Sequence, residues 1–194
     1  MDILAPEILS KEWDLMVDEL RPAVFKIAAF TPDFCRRLAD KASTACWSDN
    51  RHDIAPTYDV LLKDVDEQIY EQYIEVHREY IHSMAKYCLS FIPGAVVRDK
   101  YREETFIAKY TPDKQTHLML HHDGDSVSYT INTLLSDNFT GGGTYFEGDR
   151  KFNGFLVKPK VGETLMHPGN RKYRHGSRPV TAGERLLLIS FIQF

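Results

Sequence analysis

The chain lacks the features that mark several protein classes. Only three of its 194 residues are cysteines, an odd number without a CxxC pair, which argues against a disulfide scaffold and indicates a reducing compartment. The longest apolar run, at 186–192, is far shorter than the roughly 18 residues of a membrane-spanning helix. The N-terminal residues carry scattered acidic side chains and no signal-peptide core, so we expect a cytoplasmic protein with no membrane partner. A net charge of −4 provides no broad basic field, so we expect no nucleic-acid partner.

The material for a folded core is present. Apolar residues make up 43% of the chain and aromatic residues 12%, which suffices for one compact domain. No repeat, low-complexity tract or linker interrupts the sequence. We therefore predict a single domain over residues 1–194, with 1–100 as mostly helical support and 101–194 as a β-rich core that holds the functional site.

Helical patterns dominate the first half and strand patterns the second. The first half predicts a short amphipathic helix at 6–21, a strand at 23–30, a helix from the Thr31-Pro32-Asp33 cap to about Ala45, a strand at 58–62, and a long helix at 66–91 that Pro93-Gly94 stops. The second half predicts strands at 105–110, 117–123, 128–135, 143–146, 154–158, 163–167, 173–177 and 185–194. This order predicts an α+β, mainly β fold: a double-stranded β-helix (jelly-roll) core buttressed by the N-terminal helices.

A histidine and an aspartate two residues apart mark a candidate metal site. His121-His122-Asp123 ends an apolar strand pattern, and strand alternation turns His121 and Asp123 to one face and His122 to the other. One carboxylate and two imidazoles form the facial triad of non-haem Fe(II) oxygenases, which leaves coordination positions open. The pair alone also fits a surface turn, so the pattern needs a second histidine from another strand.

His175 is the candidate for that second histidine, and Arg185 follows it at the start of the last apolar strand. If residues 178–182 form a loop, the two flanking strands pair as a hairpin and place His175 opposite Arg185. For this residue alone, a structural salt bridge, which is common at strand starts, is the favoured interpretation.

Strand alternation makes Arg185 the lone polar member of one face, since Leu187, Ile189 and Phe191 share that face. A buried guanidinium needs an anion, and the distal carboxylate of 2-oxoglutarate would supply a bidentate partner.

Further motifs resemble those of a known family, the 2-oxoglutarate-dependent oxygenases, and within it the catalytic domain of procollagen lysyl hydroxylases. The similarity extends over roughly 22–194. The motifs that carry it are Phe30–Cys35, Pro56–Asp59, Tyr110–Pro112, His121–Asp123, Gly141–Gly143, Met166–Gly169 and Ile189–Phe191. Residues 124–129 are longer by two than the equivalent segment of the collagen enzymes, and the chain contains no glycosyltransferase domain.

The resemblance implies roles for individual residues. His121, Asp123 and His175 match the iron ligands and Arg185 the arginine that binds 2-oxoglutarate, a position at which related prolyl hydroxylases often have lysine. Tyr110 and Asn132 match residues that line the co-substrate pocket.

The resemblance also implies a reaction, in which Fe(II), 2-oxoglutarate and O2 hydroxylate a lysyl side chain in a protein or peptide, with ascorbate as a candidate reductant and a homodimer as the family precedent. Three alternatives stay open. The same site would serve prolyl residues, a free amino acid or another small molecule. A zinc hydrolase or a non-enzymatic metal-binding jelly-roll module would use the same ligand set, but neither needs Arg185.

Other polar residues have structural interpretations. His117 fits the rim or core, and His52 and His167 fit structural positions. His77 and His82 are five apart on a helix and are not expected to share a face. The 141–143 glycines predict a tight turn with positive φ rather than a phosphate loop. Asp125 is a candidate partner for a cationic substrate, and then Asp125→Asn would raise KM.

Overall fold

Two antiparallel β-sheets enclose a cavity, and helices cover the outer face of the larger sheet. The computed structural model describes residues 3–49, 51–52, 55–92, 94–95 and 98–194. The helices are α1 (Pro6–Ser10), α2 (Trp13–Met16), α3 (Pro32–Ala42), α4 (Leu62–Val65), α5 (Glu67–Val76), a π-helix (His77–Ile81), α6 (His82–Ser90) and a 3-10 turn (Arg171–Tyr173). In this part of the chain no helix is long and apolar enough to cross a membrane.

The strands form the double-stranded β-helix that the sequence predicts. They are β1 (Asp18–Arg21), β2 (Val24–Ala28), β3 (Asp59–Leu61), β4 (Arg102–Tyr110), β5 (Leu118–His121), β6 (Tyr129–Leu134), β7 (Phe139–Gly141), β8 (Thr144–Phe146), β9 (Phe155–Val157), β10 (Glu163–His167), β11 (His175–Ser177), β12 (Val180–Gly183) and β13 (Arg185–Gln193). The larger sheet has the order β1-β2-β10-β6-β13-β4-β3, the smaller β5-β11-β8-β9, and β12 pairs with β7 alone.

Strand alternation divides β13 between the cavity and the core. Arg185, Leu187, Ile189 and Phe191 line the cavity. The intervening residues Leu186, Leu188 and Ile192 pack into the hydrophobic core beneath the helices. The last strand of the chain thus joins the core to the site.

The predicted capped helix is confirmed as α3. The Thr31 hydroxyl accepts a hydrogen bond from the Phe34 amide at 3.2 Å, and Pro32 occupies the first turn, where no amide donor is needed. Phe34, Leu38 and Ala42 are buried. The helix ends at Ala42, three residues before the predicted end.

The single amphipathic helix predicted at 6–21 is wrong. The segment forms α1, α2 and the strand β1, which pairs with β2 at the edge of the larger sheet. Arg21 explains the preference for a strand: its guanidinium is buried and donates to the backbone oxygens of Glu147 and Lys172. These partners lie far along the chain, so local periodicity carries no signal for them.

The predicted long helix at 66–91 is present, with a π-helix between α5 and α6. Its predicted stop includes Pro93, which lies outside the described residues. The wider π turn corrects the expectation that His77 and His82 point apart. His77 Nδ1 lies 3.1 Å from the Tyr101 hydroxyl, and the His82 ring stacks on the Tyr101 ring at 4.6 Å.

A buried carboxyl group lies beside this pair of histidines. Glu103 Oε2 is 3.8 Å from His77 Nδ1, and Thr105 donates a hydrogen bond to Glu103 Oε1. Burial raises the pKa of Glu103 to about 7, against the lowering effects of Thr105 and Arg78. Burial also lowers the pKa of His77 to about 3. His77 is therefore neutral at physiological pH, and Glu103 keeps its proton in mildly acidic solution and loses it as pH rises through about 7.

We expect Glu103 to make the fold less stable as pH rises from about 5 to 8. A pKa raised in the folded state gives stability that is present at low pH and lost as pH rises through the folded value, here on the order of 3 kcal/mol. Glu103→Gln should remove this decline and unfold at a higher temperature than wild type at pH 8. Thermal unfolding from pH 5 to 8 measures the effect. The exposed Glu71→Gln on α5 is the control, and an unchanged decline in Glu103→Gln would refute the assignment.

Candidate metal centre and co-substrate pocket

The cavity between the two sheets has a volume of about 320 Å³. Strands β4, β6 and β13 of the larger sheet supply one wall, and β5, β8 and β11 of the smaller sheet supply the other. The segment at 51–57 adds Arg51, His52, Ala55 and Thr57. A concave, mostly apolar cavity with a few convergent polar groups has the character of a small-molecule site.

The structure brings His121, Asp123 and His175 together. One ligand atom from each lies within 4.8 Å of the other two, and they are the one such group among the described residues. Strand register produces this meeting, because His175 pairs directly with His121. Ser177 then pairs with Leu118, so β5 contains one extra residue, and this bulge lets Leu118 and His121 both face the cavity.

Hydrogen bonds orient both imidazoles in the same way. His121 Nδ1 lies 2.8 Å from the Met119 carbonyl oxygen, and His175 Nδ1 lies 3.0 Å from the Tyr173 carbonyl oxygen. A carbonyl can only accept, so each Nδ1 carries the proton and each Nε2 keeps its lone pair. Metal-binding histidines are held by this kind of contact.

The three groups suit a divalent cation. Asp123 Oδ1 lies 3.3 Å from His121 Nε2 and 3.6 Å from His175 Nε2. Ligand atoms about 2.1 Å from a shared metal and at right angles lie about 3.0 Å apart, so the spacing is close to that of a bound ion. With two nitrogens, one carboxylate and open positions, the set fits iron(II).

Electrostatics prepare the ligands for metal. Burial acts to raise the pKa of Asp123, but the charge of His175 and the hydrogen bond of His121 outweigh it and hold that pKa well below its usual range. Burial lowers the pKa of His175 to about 3, so its imidazole is neutral at physiological pH. Burial also acts to lower the pKa of His121, yet its contact with Asp123 leaves it raised.

Arg185 is a buried cation without an acidic partner. It is 1% exposed, and its Nη1 and Nη2 donate to Ser177 Oγ at 2.6 Å and Thr144 Oγ1 at 3.2 Å. Across the described residues, no carboxylate forms an ion pair with it. Burial lowers the pKa of Arg185 only to about 10, so it remains charged. A buried charge is costly unless it is paired, which indicates an anionic ligand.

The turn at 141–143 packs against the arginine. All three glycines have positive φ, as predicted. A Cβ at Gly142 would lie 3.1 Å from Arg185 Cδ and 2.9 Å from the Phe139 ring. Only a glycine fits at this position without pushing on the arginine.

The hairpin predicted between the His175 and Arg185 strands is wrong. β11 belongs to the smaller sheet and β13 to the larger, and the intervening β12 pairs with β7. The chain therefore crosses from one sheet to the other between the two residues. Arg185 reaches the His175 side across the cavity, through its hydrogen bond to Ser177.

The other predicted pocket residues also line the cavity. Tyr110 is buried with its ring 5.7 Å from the Arg185 guanidinium carbon, and Asn132 is buried on β6. Asp125 is exposed beside the metal-ligand segment, with an Arg171 contact at 3.5 Å, and does not line the cavity.

Sequence reasoning missed two residues next to the ligands. Thr130 Oγ1 donates to Asp123 Oδ2, and the buried His167 ring packs on the His175 ring at 4.4 Å. The two are cross-strand neighbours on β6 and β10. Thr130 shares the strand parity of Asn132, which is a signal that the sequence does contain. No such strand-parity signal marks His167, because its place beside His175 depends on the pairing of β6 with β10.

Known proteins share this sequence pattern and fold, although no family model matches the chain. Over 190 residues it is 30% identical to procollagen-lysine,2-oxoglutarate 5-dioxygenase 1 of Bos taurus, covering 91% of this chain and 25% of that protein. The chain thus spans about a quarter of the length of the curated relatives it matches. A 2OG-Fe(II) oxygenase family oxidoreductase from Burkholderia pseudomallei superposes with a TM-score of 0.65 and 16% identity, over 88% of this chain and 84% of that one.

A prolyl hydroxylase from Trichoplax adhaerens, solved with a peptide fragment of hypoxia inducible factor, has a TM-score of 0.66 and 15% identity, over 97% of this chain and 93% of that one. In sequence the chain is therefore similar to part of the procollagen lysyl hydroxylases, and in fold it is similar to solved 2OG-Fe(II) oxygenase and prolyl hydroxylase structures.

Proposed function

We propose that the protein is an Fe(II)- and 2-oxoglutarate-dependent dioxygenase that hydroxylates a lysyl side chain in a protein or peptide. One observation carries the chemistry: an unpaired buried arginine shares the cavity with a His-Asp-His triad. Neither a zinc hydrolase nor a structural metal site requires a buried arginine at the other end of the cavity.

The distance between the two ends supports 2-oxoglutarate as the ligand. His175 and Ser177 are two residues apart on β11, about 7 Å along a strand, and Ser177 holds the Arg185 guanidinium. The two carboxyl carbons of an extended five-carbon diacid lie about 5 Å apart. The distal carboxylate can therefore bind Arg185 while the keto acid end lies at the triad.

Iron and 2-oxoglutarate would together supply the oxidation, in which one atom of O2 enters succinate, the other enters the product, and CO2 is released. The residues of the chain have the remaining tasks. His121, Asp123 and His175 hold the metal on one side and leave the other open. Arg185 orients the co-substrate. The apolar side chains of Leu187 and Ile189 keep water from the space between the two ends.

The lysyl substrate rests on the similarity to the procollagen lysyl hydroxylases, and a polypeptide substrate also suits the Trichoplax fold relative. We propose a reducing, cytoplasmic location because all three cysteines are free thiols.

An anaerobic titration tests the chemistry. Adding 2-oxoglutarate to the Fe(II)-loaded protein should produce the weak visible charge-transfer band of a chelated keto acid. Its absence would contradict the proposal. Incubation with lysyl and prolyl peptide libraries then identifies the substrate by a 2-oxoglutarate-dependent gain of about 16 Da, the mass of one oxygen atom. Exclusive modification of prolyl peptides would refute the lysyl assignment and retain the dioxygenase.

A further inference from the structure

The two carboxylate oxygens of Asp123 have different neighbours. Oδ1 faces both metal-binding nitrogens, at 3.3 Å from His121 Nε2 and 3.6 Å from His175 Nε2. Oδ2 accepts a hydrogen bond from Thr130 Oγ1 at 2.5 Å and lies 4.0 Å from His167 Nδ1. The side chain is 2% exposed, so bulk water does not compete with Thr130 for Oδ2. One oxygen is thus directed at the metal position and the other is held by the protein.

We propose that Thr130 is a positioning residue that restricts Asp123 to one metal-binding oxygen and thereby keeps a coordination position open for 2-oxoglutarate. The inference rests on the proposed function. An octahedral iron offers six positions, and a facial triad fills three of them. A chelating keto acid and dioxygen require the other three. A carboxylate that turned and bound through both oxygens would take a position that the reaction needs.

The sheet fixes the Thr130 hydroxyl in place. Thr130 is 2% exposed and lies on β6, between β10 and β13 in the larger sheet. It pairs with His167 on one side and Phe191 on the other. A β-branched side chain in such a setting has little rotamer freedom. A hydroxyl that donates to a carboxylate is a strong, charge-assisted partner, and burial strengthens it further.

The same strand offers a matched control. Thr133 is also a fully buried threonine, but it points to the opposite face of β6, where its hydroxyl contacts Thr164 Oγ1 at 2.7 Å. Thr133→Val removes a buried hydroxyl from the same element without touching Asp123. Thr130→Ser keeps the donor, whereas Thr130→Val replaces it with a methyl group of similar size.

The test uses Co(II), which does not oxidise in air under these conditions, and measures two affinities by calorimetry: Co(II) alone, and 2-oxoglutarate at saturating Co(II). We expect Thr130→Val to bind Co(II) within about threefold of wild type and 2-oxoglutarate about tenfold more weakly. Its Co(II) visible spectrum without 2-oxoglutarate should differ from that of wild type, because an additional oxygen binds. Thr130→Ser and Thr133→Val should match wild type in both affinities and in the spectrum.

If Co(II)-loaded wild type binds 2-oxoglutarate, any of three results would overturn the inference. Thr130→Val could bind 2-oxoglutarate as tightly as wild type, or its weaker Co(II) binding could account for its whole loss of 2-oxoglutarate affinity. The Thr133→Val control could also lose as much 2-oxoglutarate affinity as Thr130→Val. Failure of Co(II)-loaded wild type to bind 2-oxoglutarate would instead refute the proposed function itself. The two failures are therefore distinguishable.

Discussion

Replacing His175 with alanine is expected to lower the affinity for Fe(II) by more than about 100-fold and to abolish 2-oxoglutarate turnover. Loss of a single partner that merely orients a metal ligand costs about 10- to 100-fold, and His175 is one of only three candidate ligands. The remaining pair, His121 and Asp123, cannot hold iron on one face. The measurement is Fe(II) titration under anaerobic conditions, together with succinate formation from 2-oxoglutarate.

The control for this substitution is His117→Ala. His117 is exposed, lies just before β5 and does not line the cavity, so its loss should leave Fe(II) affinity and succinate formation unchanged. Thermal unfolding of both variants in a chelator checks that the fold persists. A folded His175→Ala variant that binds Fe(II) as tightly as wild type would show that His175 is not a metal ligand.

The sequence was sufficient to predict the fold class, since the signals for it are local. All eight strands predicted in the second half are present, because alternation and turn residues mark them directly. The additional strands β7 and β12 were missed. They are short, contain Gly141 and Gly183, and are stabilised mainly by each other, so neither has a pattern of its own.

The sequence was sufficient to predict which residue types meet in the cavity, but not the geometry of this candidate site. His121, Asp123 and Arg185 stand out because charged groups interrupt apolar strand patterns. How they meet depends on one bulge in β5 and on the crossing of the chain from β11 to β13. Both are consequences of sheet pairing over long sequence distances, which single-strand periodicity does not encode. The supposed hairpin failed for this reason, although His175 and Arg185 share the cavity.

The largest effect on co-substrate binding is expected from Arg185→Met. Truncating one partner of a buried charge pair costs about 2–5 kcal/mol, and a loss of 3 kcal/mol corresponds to about 150-fold in affinity. We therefore expect the Kd for 2-oxoglutarate at saturating Mn(II) to rise by about 100-fold or more. The Kd of Arg185→Lys should lie between those of Arg185→Met and wild type, because lysine keeps the charge but cannot make the bidentate contact.

The same substitution should make the ligand-free protein more stable. Without 2-oxoglutarate, Arg185 is a desolvated cation whose partners are two hydroxyls, and methionine of comparable length removes that cost. We expect the unfolding free energy of Arg185→Met to rise by about 1–3 kcal/mol. Wild type should gain about 2.7 kcal/mol from 2-oxoglutarate at 100 times its Kd, whereas the variant, with its roughly 100-fold higher Kd, should gain about 0.4 kcal/mol or less at that concentration.

These opposite signs separate a ligand-binding arginine from a structural one. If Arg185 mainly braced the sheets through Ser177 and Thr144, its loss would destabilise the protein with or without 2-oxoglutarate. Arg178→Gln is the matched control, since Arg178 is exposed and stacks on Tyr145 at 4.2 Å outside the cavity. Denaturant unfolding of the three proteins, with and without Mn(II) and 2-oxoglutarate, decides between the roles. A destabilised Arg185→Met variant that gains as much stability from 2-oxoglutarate as wild type would assign the arginine to the fold, and the cavity would then lack its anion site.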